Sequence, residues 1–251
     1  MISLYDDGDL KPADRWEHRF HFDTRWRFLP RTALLVHFDF ALVEFPTKGD
    51  NYANPSQMPM RATVGLAGLL TRTLSFNVVA GYGDSLVESG DSYRSGIAQI
   101  ELTQRFPSLG TSISGGYKRD FRTAHVFRYY GEDRVFLAAG QKLLNDDLSI
   151  NIRAEYSFLG FGEAVEATEG QGASQTTVGQ EDRRKDHRIR ISAGLGYDIL
   201  DYLGIRFQYA TVLNISDFRY SAGTDSAGLV QYGPSSEFTN HQVWLTVLFH
   251  Y

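Results

Sequence analysis

The chain has no cysteine, which removes disulfide staples, thiol nucleophiles and cysteine-held metals, and which suits an oxidising periplasmic route. No apolar run approaches the ~18 residues that a spanning helix needs. With 42% hydrophobic residues and a mean hydropathy of −0.29, a helical membrane protein is excluded. No helical period of useful length occurs, and no capping box precedes an apolar run. A dense basic stripe is absent and the formal charge is −5, so there is no footprint for nucleic acid. Neither G-x-S-x-G nor H-E-x-x-H is present, which takes away two common signatures of hydrolases. What the chain does have is strict alternation and many aromatics, 14% of all residues.

The last nine residues carry the alternation most clearly. Val243, Leu245, Val247, Phe249 and Tyr251 fall on one face of an extended strand, and the sequence ends on an aromatic. Phe20, Phe22, Thr24, Trp26 and Phe28 alternate with Arg19, His21, Asp23, Arg25 and Arg27. The same two-residue period recurs over 148–158, 188–198 and 205–214. Each polar face carries full charges. A soluble sandwich would turn such charges to water and its apolar face to a core. A membrane barrel turns the charges to its lumen and the apolar face to lipid.

Length and turn pattern separate the two. The alternation predicts eleven strands: Arg15–Phe28, Thr32–Phe45, Met60–Leu70, Leu74–Tyr82, Ser95–Phe106 and Thr111–Phe121 in the first half. Arg134–Leu143, Leu148–Phe158, His187–Ile199, Gly204–Ile215 and Asn240–Tyr251 follow. Most are longer than the ~5–6 residues typical of globular strands, and long enough to cross a bilayer at a tilt. Tight connections near 29–31, 71–73, 107–110, 145–147 and 200–203 alternate with long ones near 46–59, 83–93, 122–133, 160–186 and 216–237. Short turns on one side and long polar loops on the other are the pattern of a transmembrane barrel. The expectation is one domain over 1–251, an all-β, antiparallel up-and-down transmembrane β-barrel of about 11–12 visible strands, located in the cell outer membrane.

Eleven is odd, whereas single-chain bacterial barrels have even strand numbers. Residues 1–14 then form an extracellular or linker segment, and Met1–Leu10 has acids where a secretory leader would have a basic start and an apolar stretch. The expectation is that an upstream strand and a signal peptide are missing, or that the barrel is larger than this chain. A strand hidden at Gly228–Tyr232 is the alternative.

The face expected to line the lumen collects Arg19, Arg25, Arg27, Arg61, Arg105, Lys118, Arg153, Arg188, Arg190 and Arg206. Asp23, Asp39, Glu101, Asp120, Glu155 and Asp198 point the same way. Paired across strands they would stiffen a filled barrel. Around water they would make a mildly cationic pore that favours anionic solutes. The residues leave both open.

Other constellations give less. His37 and Asp39 share a face two residues apart, and read as one polar step of the wall rather than a catalytic pair. His241 and His250 lie on opposite faces of the last strand. Asp6–Asp9 and Glu163, Glu166 and Glu169 lack EF-hand spacing, so neither metal nor cofactor is expected. The stretch 160–186 reads as a solvated loop. Arg183–Lys185 reads as a basic strand start, with lipopolysaccharide phosphates as the functional alternative. Phe127, Tyr129, Tyr130 and Trp244 read as membrane-interface aromatics rather than a sugar-stacking platform.

The terminal strand resembles the assembly signal of outer-membrane β-barrels, and the chain resembles that class along nearly its full length. Trp26–Leu34 and Tyr129–Arg134 are also similar to segments of porin-like barrels that accompany polysaccharide export. The first resemblance implies lipid and lipopolysaccharide as surroundings and the barrel-assembly machinery as a partner. The second implies periplasmic export proteins and polysaccharide passage. The leading expectation is a non-enzymatic channel for polar solute or polysaccharide. A filled barrel acting as anchor or adhesion platform is the alternative, and an integral-membrane hydrolase is the remote one.

Overall fold

The computed structural model describes residues 2–3, 14–45, 56–88, 90–124, 127–162, 184–200, 202–216, 218–224 and 230–249. The strands in chain order are β1 (Ile2–Ser3), β2 (Arg15–Leu29), β3 (Thr32–Glu44), β4 (Met60–Leu69), β5 (Leu74–Asp84), β6 (Arg94–Phe106) and β7 (Thr111–Thr123). They continue as β8 (Tyr129–Leu143), β9 (Leu148–Phe161), β10 (Lys185–Leu200), β11 (Leu203–Ser216), β12 (Arg219–Thr224), β13 (Val230–Ser235) and β14 (Phe238–Phe249). Twelve of them form one antiparallel sheet in sequence order from β1 to β11, with β14 beside β11. β12 and β13 pair with each other as a separate hairpin. The segment at Gly228–Tyr232 therefore holds part of a strand, but in the β11–β14 connection and not in the main sheet.

The eleven expected strands are all present, and most differ only by a few residues at their ends. β8 begins at Tyr129 and not at Arg134, because Tyr130–Asp133 continue the ladder against Asp120, Phe121, Arg122 and the β9 end. Residues 250 and 251 lie outside the described residues. Ile2 and Ser3 pair antiparallel with Trp16 and Arg15, so the expected outer or linker segment opens with a short strand.

The tight turns share one end of the sheet. At 107–109 a 3-10 turn closes on Gly110, whose φ of +64° is the left-handed conformation that glycine adopts without strain. Asn145 and Asp146 also take positive φ, in the turn from β8 to β9. The long connections share the other end, called the outer end below. There they knit together: Gln57 bridges Val43 and Val87, and Ser85 N–H donates to Tyr93 O at 3.0 Å.

Register assigns every side chain to one of two faces. On one face lie Phe20, Phe22, Trp26, Val64, Leu66, Ile100, Leu102, Leu137, Ile152, Ile191, Phe207, Val243, Leu245, Val247 and Phe249, all among the exposed large hydrophobics. Leu245 and Phe249 are 69% and 72% exposed. The sheltered positions lie mainly on the opposite, charged face: Ala33, Ala41, Ser157, Asp186, Ala210 and Asn214 are buried there. This polarity is inverted relative to a soluble protein, where such an apolar face would cover a core. Hydrocarbon is the solvent that such a face fits.

One cross-strand contact shows that the charged face is concave. Arg61 on β4 reaches Asp120 on β7 at 2.9 Å, although β5 and β6 lie between. Three strand spacings are about 14 Å on a flat sheet, farther than these side chains span. The arrangement is an up-and-down transmembrane β-barrel sheet whose two edges, β2 with the short β1 at its outer end and β14, are not paired with each other.

Candidate functional site: the charged concave face

All sixteen residues expected on the lumen face share one face in the structure. On β2 and β3, Asp23 opposes His37 and His21 opposes Asp39, while Arg19, Arg25 and Arg27 oppose Ala41, Leu35 and Ala33. Asp39 opposes Arg61 on β4. On β6 and β7, Gln99 opposes Lys118, Glu101 opposes Gly116, and Arg105 opposes Ser112. Asp120 lies two residues beyond Lys118. Further round, Arg153 opposes Ser192, Glu155 opposes Arg190, Arg188 opposes Asn214, and Gly196 opposes Arg206.

The face is not one continuous charge network but several local ones. Near the outer end, Asp120 binds Arg61 and also Lys118 Nζ at 3.0 Å. Arg61 donates to Phe121 O at 2.5 Å and lies 4.1 Å from the centroid of the Phe121 ring. Phe121, fully buried, stacks on Tyr93 at 4.6 Å. Gly83 makes room for it, since a Cβ there would come within 2.6 Å of the ring. Arg134 binds Glu132 at 2.6 Å and approaches Glu155 at 3.8 Å. Glu155 also accepts from Arg153 at 2.6 Å, and the Arg153 guanidinium covers the Phe136 ring at 4.0 Å. At the tight-turn end, Arg206 binds Asp198 at 2.7 Å.

A second cluster joins β2 to β3. Asp23 contacts His37 Nδ1 and His21 Nε2, and the other ring nitrogen of His21 lies 3.2 Å from Asp39. The sequence pairs His37 with Asp39, but in the structure each meets a residue of β2. Cross-strand register supplies these partners, and spacing along one strand does not reveal it. Among the described residues, no group of three or more His, Asp or Glu converges as a metal site. The acidic stretches at 6–9 and 163–169 lie outside the described residues.

Three aromatic expectations need correction. Trp244 opposes Gln208 on the charged face, so it is not a lipid-interface residue. Phe127 is buried against Leu159 and Phe161, and Tyr129 against Tyr93 and Phe121, so both hold the outer end together. Tyr130 packs on Phe161 at 5.3 Å. Arg184, expected as a basic strand start, grips Asp186 with three hydrogen bonds and lies 4.5 Å from the Phe161 ring centroid. Its guanidinium is thus committed within the protein and not presented to lipopolysaccharide. Asp186 is fully buried, and Asn214 donates to it at 2.9 Å.

Between the ion-pair clusters the concave face is lined by small residues. Ser112, Ser114, Ala138, Gly140, Ser192 and Ala210 border a cavity of about 660 Å³ that Arg153, Arg190 and Trp244 also reach. Filled small barrels use bulky side chains at such inward positions.

No family model and no curated protein matches the sequence. Among solved structures, the chain is similar to OmpT (in-vitro folded), an outer membrane protein of Vibrio cholerae. The likeness covers 94% of this chain and 95% of that one, at 10% identity and a TM-score of 0.36.

Proposed function

We propose that the chain forms an outer-membrane channel that passes polar, preferentially anionic solutes along its concave charged face. The observation that carries this reading is the small-residue lining of β7–β11, which leaves a cavity of about 660 Å³ where a filled barrel would place large side chains. Closed into a cylinder, a sheet of about twelve strands is roughly 24 Å across between opposing backbones, wide enough for a water-filled path past short side chains. The inward charges are mixed with an excess of arginine, which favours anions over cations. Val243, Leu245, Val247, Phe249 and Tyr251 serve as the assembly signal read by the barrel-assembly machinery. The long connections face the lipopolysaccharide side. Passage of polysaccharide with periplasmic export partners is the finer form of this reading, and it rests on the resemblance of Trp26–Leu34 and Tyr129–Arg134 alone.

The packed aromatics Tyr93, Phe121 and Tyr129 at the outer end favour a second reading, a barrel closed at that mouth that serves as an anchor. Single-channel recording of the refolded protein in a planar bilayer separates the two. Stable steps with anion preference support the channel. A folded, heat-modifiable protein that never conducts overturns it in favour of the anchor.

A further inference from the structure

Many cations on the concave face are held in ion pairs, while Arg188 instead donates to Asn214. Arg19 binds Glu17, Arg61 and Lys118 bind Asp120, Arg134 binds Glu132, Arg153 binds Glu155, and Arg206 binds Asp198. The tight-turn end of β2–β6 gathers several cations without an acid. There Arg25 and Arg27 of β2, Arg31 of the β2–β3 turn and Arg105 near the end of β6 line one cavity of about 290 Å³. No aspartate or glutamate lines it, and none of the four guanidiniums has an ion-pair partner among the described residues. Ala33 and Ser75 contribute short side chains, which leaves the space to the arginines.

We propose that Arg25, Arg27, Arg31 and Arg105 form a binding site for a small multivalent oxyanion, such as a phosphate-, pyrophosphate- or polycarboxylate-bearing solute. Four like charges around one cavity repel one another, and an anion with several oxygens is the ligand that removes that repulsion. Guanidinium groups suit it because their planar forks donate two parallel N–H bonds to phosphate or carboxylate. The cavity lies just below the size range of drug-like ligand pockets, which fits a small ion and not a folded partner. The site lies at the end of the tight turns, which in the channel reading is the periplasmic mouth. A solute entering from that side meets it first. The assignment of the anion rests on the arginine cluster itself, and only its role in passage rests on the channel reading.

The test is a calorimetric titration of the refolded, detergent-solubilised chain with pyrophosphate at constant ionic strength, with sodium chloride as the blank. Saturable one-to-one binding that weakens as salt rises is expected. Arg27→Gln and Arg105→Gln should each lower the affinity at least about tenfold, the loss of a charge-assisted hydrogen bond. Arg27→Lys keeps the charge and loses the fork, so its affinity should fall between wild type and Arg27→Gln. It also guards against a glutamine variant that fails to fold. Arg72→Gln, on the neighbouring turn outside the cavity, should stay within about twofold. Absence of saturable binding in the wild type overturns the proposal, and so does binding that both glutamine variants retain. A planar-bilayer recording run in parallel keeps the two readings apart. Binding without conductance leaves the site standing and removes the channel. Conductance that pyrophosphate neither blocks nor slows, without binding, does the reverse.

Discussion

Replacing Arg61 with methionine should destabilise the barrel through its curvature and not through any single strand pair. Arg61 is the tie between β4 and β7: it binds Asp120 at 2.9 Å and Phe121 O at 2.5 Å, and it covers the Phe121 ring. Each charge-assisted hydrogen bond contributes about 1.5–3 kcal/mol and the ring contact about 0.5–1 kcal/mol. Arg61 and Asp120 keep 26% and 22% exposure, so water recovers part of the loss. The substitution also leaves Asp120 with Lys118 as its only ion-pair partner among the described residues. A net cost of about 2–4 kcal/mol follows, below or within the range for breaking a buried pair. For a chain of this size that lowers the Tm by roughly 5–15 °C. The assay is reversible urea unfolding in lipid vesicles of wild type, Arg61→Met, Asp120→Asn and the double variant. If the tie exists, the cycle gives a coupling of about 1–2 kcal/mol. A coupling below about 0.5 kcal/mol would mean that the two strands are not held together across β5 and β6, and the concave face would have to be redrawn.

Three further outcomes follow from the same geometry. Leu137→Arg, at a position 61% exposed on the apolar face, should cost about 2–4 kcal/mol in lipid vesicles. A change within about 0.5 kcal/mol, normal for a water-exposed site, would refute lipid contact there. Replacing Leu245 and Phe249 together by serine should lower the heat-modifiable fraction in outer-membrane preparations several-fold; unchanged assembly would remove the terminal strand from any signalling role. With cysteines placed at Thr24 and Val243, no direct disulfide should form, whereas a linker of about 10 Å, two strand spacings, should join them. Spontaneous disulfide formation would show that β14 pairs directly with β2.

The two-residue period makes the strands legible because the same residues must serve two solvents. Phe20 and Arg19 cannot exchange faces without placing a guanidinium in hydrocarbon, so the alternation persists in spite of mixed composition. Strand ends were less legible. At 129–133 the residues Tyr-Tyr-Gly-Glu-Asp look like a loop, yet Glu132 is buried and paired with Arg134, and the ladder runs on above the apolar band. Trp244 follows phase and not aromatic character: Val243 and Leu245 take the apolar face, and Trp244 between them takes the charged one. The arginine cluster was beyond sequence reading for another reason. Arg27 and Arg105 are 78 residues apart in number, and they meet only through the accumulated register of four hairpin pairs and the curvature of the sheet. Sequence shows which face each occupies; only register and curvature show which charges lack a partner.

The edges of the sheet state what the membrane still requires. The outward N–H and C=O groups along β2 beyond Trp16, and along the far side of β14, have no ladder partner among the described residues. In water such edges are a liability, but in hydrocarbon each unsatisfied group costs several kcal/mol, so neither edge can stay bare in a bilayer. Counting along the antiparallel order, β2 and β14 are the first and eleventh long strands and run the same way. Direct closure would therefore be parallel, and so would head-to-tail pairing with a second copy in the same orientation. One more strand between them would be antiparallel to both. β1 already has that sense, pairing antiparallel with the outer end of β2 at Arg15 and Trp16. Cross-linking across the gap between Thr24 and Val243 thus tests the strand count itself: the span that joins them distinguishes an eleven-strand closure from a twelve-strand one.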